Sequence, residues 1–89
     1  MTVMREVTVA DRKATGSEVT AHAAAIRRLA QDLGLGRPRL RDDGAVIVHS
    51  DQPGYRSANR LSTAATRVVG AYVHVITDDV SGAAATHEL

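Results

Sequence analysis

The sequence contains no cysteine, no phenylalanine and no tryptophan, and its only aromatic side chains are Tyr55 and Tyr72. Without cysteine there is no disulfide framework, no thiolate nucleophile and no cysteine-based zinc site or cluster. Without phenylalanine and tryptophan the interior has to be assembled from Val, Ala, Leu and Ile, which bury less area per residue than an aromatic ring. So thin a core predicts that part of the stability comes from self-association, and a homodimer or other complex is expected. Lysine is almost missing too: Lys13 is the only one. Arginine in its place, with abundant alanine, is read as the codon bias of a GC-rich bacterial genome. No apolar run approaches the ~20 residues of a membrane span. The N-terminal residues carry charges at Arg5, Glu6, Asp11 and Arg12, unlike a signal peptide, so a cytoplasmic protein is expected. A net charge of +1 excludes a global basic field, and nucleic-acid binding would need a local patch.

What is present is regular hydrophobic patterning. The 89 residues make one domain, expected over residues 1–80, with a flexible, small and polar tail over 81–89. Val3, Val7 and Val9 alternate with polar residues, as in a strand. Thr15 and Glu18 have capping-box spacing. Val19, Ala23, Ile26, Leu29, Ala30 and Leu33 then share one helical face, and Gly34 fits a stop, which predicts a helix over residues 16–33. Pro38 and Leu40 lie in a short strand whose proline suggests a sheet edge. Asp42-Asp43-Gly44 reads as a tight hairpin turn, followed by an apolar strand from Ala45 to His49. Ala58, Leu61, Ala65 and Val68 define the inner face of a second helix that ends at Gly70. From Ala71 to Thr77 a last strand sets Val73 and Val75 against Tyr72, His74 and Ile76. The order β-α-β-β-α-β predicts an α+β two-layer sandwich of the ferredoxin-like kind, two helices on one face of a mainly antiparallel sheet. Should the first strand not join the sheet, the remaining α-β-β-α-β order is still a two-layer α+β sandwich.

Enzymatic patterns are largely absent. His22, His49, His74 and His87 lack the spacing of a metal motif. His49 and Asp51 form a short His-x-Asp pair, but in the ferredoxin-like order the first strand would separate them from His74. Ser50 and Ser62 lie in no nucleophile turn. Gly34-Leu35-Gly36 follows a helix, where a phosphate loop must precede one. Asp42-Asp43 and Asp78-Asp79 read as solvated turn residues. No cofactor or metal is expected. The arginines are more informative. Arg56, Arg60 and Arg67 form one stripe on a helix that carries no acid, and Arg37, Arg39 and Arg41 share a face of the edge strand. RNA recognition on such a fold needs stacking aromatics on the central strands, which carry Val, Ile and Ala. The sheet face away from the helices is expected to be open and to present Tyr72, His74 and Ile76 with Arg39 and Arg41. Ile47 and His49 would join them if their strand is phased the same way.

From about Val19 to Val80 the chain resembles the minimal nucleotidyltransferases that serve as antitoxins in bacterial toxin–antitoxin pairs. The residues that carry the likeness are a helix, a strand, the run from Gly44 to Gly54, a helix closing on Val69-Gly70, and the strand from Ala71 to Thr77. The family's metal-binding aspartates would fall at Gly44, Val46 and His74, and its Gly-Ser loop is absent, so the resemblance implies a non-catalytic relative. The leading expectation is therefore a small regulatory, antitoxin-like protein that binds a protein partner. The surface would be Arg56, Arg60 and Arg67, or Arg39, Arg41, Tyr72, His74 and Ile76. The alternatives are a small enzyme or ligand-binding subunit using His49, Asp51 and His74, and a nucleic-acid binder using the arginines.

Overall fold

The structure, a computed structural model, describes residues 12–52, 55–79 and 87–89. The candidate strand from Val3 to Val9 lies outside the described residues. Thr15 starts the first helix as expected. Its Oγ1 accepts the Glu18 N–H at 3.2 Å, and Glu18 Oε1 accepts the Thr15 N–H at 3.0 Å. The expected single helix is two, α1 (Gly16–Ala21) and α2 (Ala23–Asp32), broken at His22. There the backbone turns to φ −112°, ψ 21°, and the His22 N–H donates to Val19 O at 3.0 Å instead of to the carbonyl of Glu18. The imidazole replaces it, with Nδ1 3.0 Å from Glu18 O. A side chain that can serve as its own backbone's donor makes the break affordable, which periodicity alone does not reveal.

The remaining elements are β1 (Gly36–Leu40), β2 (Val46–His49), α3 (Arg56–Val69), β3 (Val75–Thr77) and β4 (His87–Glu88). The four strands among the described residues form one mixed sheet in the order β3-β2-β1-β4. β1 is antiparallel to β2 and to β4, whereas β2 and β3 are parallel. The ferredoxin-like, mainly antiparallel arrangement is therefore corrected. No strand intervenes between β2 and β3, because α3 provides the crossover that a parallel neighbour requires. β1 is also not an edge. Arg41 N–H donates to Ala45 O on the β2 side, so the alternate groups of Pro38 face β4, where Pro38 O accepts the Leu89 N–H. The proline's missing donor thus falls beside the two-residue strand, where little pairing is lost. Of the expected tail, His87 and Glu88 form this strand and Leu89 packs on the core, while residues 81–86 lie outside the described residues.

The β1–β2 hairpin has a three-residue loop. Gly44 N–H donates to Arg41 O at 2.9 Å and only Gly44 has positive φ, 90°. This is a turn followed by a left-handed residue, not the two-residue turn expected from Asp-Gly. A side chain at Gly44 would also meet Ala14 O at 2.7 Å. At the other end of β1 a register irregularity between Gly36 and Arg39, with Arg37 at φ 47°, breaks the alternation. Arg37 therefore does not continue the Arg39–Arg41 face.

The core lies between the sheet and the helices. Val19 and Ile26 from α1 and α2, Leu61 and Ala65 from α3, Val46, Val48 and Val75 from the sheet, and Val73 just before β3 pack into one cluster. Val68, expected inward, is 43% exposed, and Val69 packs on the core instead. Two hydroxyls complete α3's inner flank. Ser62 Oγ donates to the Val73 carbonyl, and Thr66 Oγ1 accepts the Val73 N–H at 2.9 Å. One turn apart on the helix, they satisfy both backbone groups of a fully buried residue that precedes β3. Among the described residues no helix is long and apolar enough to cross a membrane.

Candidate functional site

Helix α3 owes its two faces to its sequence. Ala58, Leu61 and Ala65 are buried, whereas Arg56, Arg60 and Arg67 are exposed on the opposite side. At 100° per residue the three arginines lie within about 40° of one another. Asn59, Thr63 and Ala64 line the shallow surface between them. None of the three arginines has an ion-pair partner among the described residues, and the helix has no acid in its first turn. The three arginines thus lie on one exposed stripe of α3.

The sheet arginines are placed differently. Arg41 closes a two-bonded fork on Asp43, Nε to Oδ1 at 2.9 Å and Nη2 to Oδ2 at 2.7 Å. This bond from Arg41, with the Ala45 N–H and nearby Lys13, holds the Asp43 carboxyl well below the usual carboxylate range. Arg39, whose side chain is only 17% exposed, donates from Nη2 to Asp78 Oδ2 at 3.1 Å and from Nε to Arg37 O at 3.0 Å. Both side chains are tied into the fold.

Asp78 is the residue that sequence reasoning did not single out as a partner. It follows β3 directly, and the parallel register Ile47↔Ile76, Val48↔Thr77 brings it level with His49 at the end of β2. His49 Nδ1 lies 3.2 Å from both Asp78 oxygens, and Nε2 lies 3.0 Å from Asp51 Oδ1. Asp78, then Asp51, raise the His49 pKa above its ordinary value, because both ring nitrogens donate only in the cation. Burial pulls the Asp78 carboxyl upward, yet the bonds from His49 and Arg39 outweigh it and set its pKa below the ordinary carboxylate value. A pairing across 29 residues leaves no local signal; only knowledge of the parallel register could have found it.

The same register separates the expected trio. His74 is level with Ala45, four residues from the His49 row, or about 13 Å along the strands. No strand lies between them, contrary to the expectation, but they belong to opposite ends. His74 pairs instead with Tyr72, whose hydroxyl lies 3.1 Å from His74 Nδ1. Both ring nitrogens of His49 face carboxylates. No group of three or more His, Cys, Asp or Glu suited to a metal occurs among the described residues. On the sheet face away from the core cluster, Tyr72 is exposed and His74 and Ile76 are half-buried, following the expected alternation. Ile47 is fully buried and does not contribute to a surface. Its cross-strand neighbours Arg39 and Ile76 are long, half-buried side chains that flank it.

Gly44, Val46 and His74, where the resemblance would set aspartates, do not converge. Gly44 lies in the hairpin turn, and Val46 points into the core, on the face opposite to His74. No family model, no curated protein and no solved structure matches the chain.

Proposed function

We propose that this chain is a non-catalytic regulatory protein that acts, as an antitoxin does, by binding a protein partner, and that the partner brings negative charge to the arginine face of α3. The observation that carries the proposal is the difference in pairing. Arg12, Lys13, Arg39 and Arg41 all meet carboxylates of the chain itself, whereas Arg56, Arg60 and Arg67 meet none among the described residues. Helix stability favours Arg67, in the last turn, but does not call for Arg56. Arg56 is the first residue of α3, at the positive end of the helix dipole, where a cation is unfavourable.

The test is capture of partners from an extract of the source cells on immobilised protein, comparing the natural chain with R56E/R60E/R67E. The natural chain should retain a stoichiometric acidic protein at low salt and release it near 1 M salt, where the Debye length falls to about 3 Å. The variant should retain none. Equal retention by a folded variant would refute the proposal.

A further inference from the structure

Resting on that reading, we infer that the segment seated on α3 is itself a helix, acidic at both ends and apolar between, lying antiparallel along the arginine row. The spacing of the row carries the inference. Arg60 and Arg67 follow Arg56 by four and eleven residues, hence by about 6 Å and about 16.5 Å along the axis. A second helix has the same rise per residue, so carboxylates at matching four- and seven-residue steps meet all three guanidinium groups in turn. An extended peptide presents side chains to one face every ~6.7 Å. It would match Arg60 and then miss Arg67 by about 3 Å in either direction.

The floor of the surface agrees. The widest gap in the row, between Arg60 and Arg67, is occupied by Thr63 and Ala64. Small side chains there let a second helix axis approach to the 8–10 Å of ordinary helix packing. One turn beyond Ala64, Val68 is 43% exposed, the only large aliphatic side chain of α3 so exposed. The i, i+4 ridge through Arg56, Arg60, Ala64 and Val68 thus passes from cationic to apolar. Its complement is a helix with an apolar side chain beside an acidic row. Antiparallel placement sets the two helix dipoles in favourable opposition. A long polyanion is a poorer match, because the chain is nearly neutral and Asp42, Asp51 and Glu88 are exposed elsewhere on its surface.

The experiment uses the full chain and three probes: a synthetic helical peptide, a scrambled control and oligothymidylate. The peptide is about four turns long, with Glu at positions 1, 8 and 12 and Leu at position 4. The control has the same composition and helicity, but its Glu residues are distributed around the helix. Amide resonances of α3 should shift on titration with the matched peptide, and it should bind about tenfold more tightly than the control, as three aligned ion pairs allow. R56E/R60E/R67E should abolish the difference; R56Q/R60Q/R67Q replaces that variant if it does not fold. Equal binding of the two peptides, or tighter binding of oligothymidylate, would overturn the helical occupant. If the captured partner is still lost from the variant in that case, the acidic-partner reading stands and only the helix fails. A variant that keeps the partner removes both.

Discussion

The arginines of the sheet and those of α3 both form runs uninterrupted by acid in the sequence, and they have opposite fates in the fold. Arg39 on β1 and Arg41 just beyond it are met by carboxylates from elsewhere in the fold: Asp78 from beyond β3 and Asp43 from the hairpin loop. Arg56, Arg60 and Arg67 sit on the outer face of a helix whose inner face packs on the core, and they pair with no carboxylate among the described residues. The difference teaches that a cationic run is a binding candidate only after the fold's own anions have been assigned. Before that, both sets are equally attractive; afterwards, one is paired within the fold and the other meets no carboxylate among the described residues.

The strongest way to break the comparison is to remove the frame that holds α3 in place. Leu61 is fully buried among the core side chains, so Leu61→Ala is expected to cost about 2–5 kcal/mol in urea unfolding. A much smaller loss would mean that the inner face does not fix the outer one. Next come the hydroxyls that hold Val73. Ser62→Ala and Thr66→Val each leave one buried backbone group of Val73 without its bond, and about 1–3 kcal/mol should be lost per substitution. Because they serve the same residue, their effects should not add when combined, which a double-mutant cycle reads directly.

The third test concerns the sheet's own charge cluster. His49 has a folded-state pKa above 6.5, so its contribution is complete below that value and disappears as pH rises through the folded pKa. Asp78 has a folded-state pKa below 3.8, so its contribution is complete above that value and disappears as pH falls through the folded pKa. The pair therefore stabilises the chain most between about pH 4 and pH 6.5. Asp78→Asn should flatten this part of the stability profile and lower the His49 pKa, followed through its imidazole resonances in an NMR titration. An unchanged His49 titration would show that the two do not interact in solution.

The smallest effect sharpens the comparison from the other side. R56E/R60E/R67E should leave the thermal midpoint nearly unchanged, since exposed substitutions commonly stay within about 0.5 kcal/mol. Dipole effects partly cancel, because Glu is favoured at position 56 and disfavoured at position 67. A large loss of stability would show that these arginines have partners within the chain.

Much of this was legible in the sequence because it depends on neighbours close along the chain. The capping box of Thr15 and Glu18, the stops at Gly34 and Gly70, the two-faced pattern of α3 and the alternation of Tyr72, Val73, His74 and Val75 are all local. Where a local signal was read too simply, a backbone detail was responsible. His22 breaks a helix that the apolar spacing carries straight through, and Gly44 alone takes positive φ where two residues were expected to.

Composition and short-range pattern thus determined the kinds of element, their approximate limits, an interior of Val, Ala, Leu and Ile, and an arginine stripe opposite the buried face of α3. Hydrophobic periodicity reports which side of an element is buried, and that is sufficient for these features. Only the tertiary structure decided that β3 lies beside β2 and parallel to it, that β1 is flanked on both sides, and that Asp78 meets His49 and Arg39 while His74 is left about 13 Å along the sheet. Strand order and register are set by the summed packing of residues far apart in the chain. A side chain's partner across the sheet therefore exists only once the whole sheet has formed.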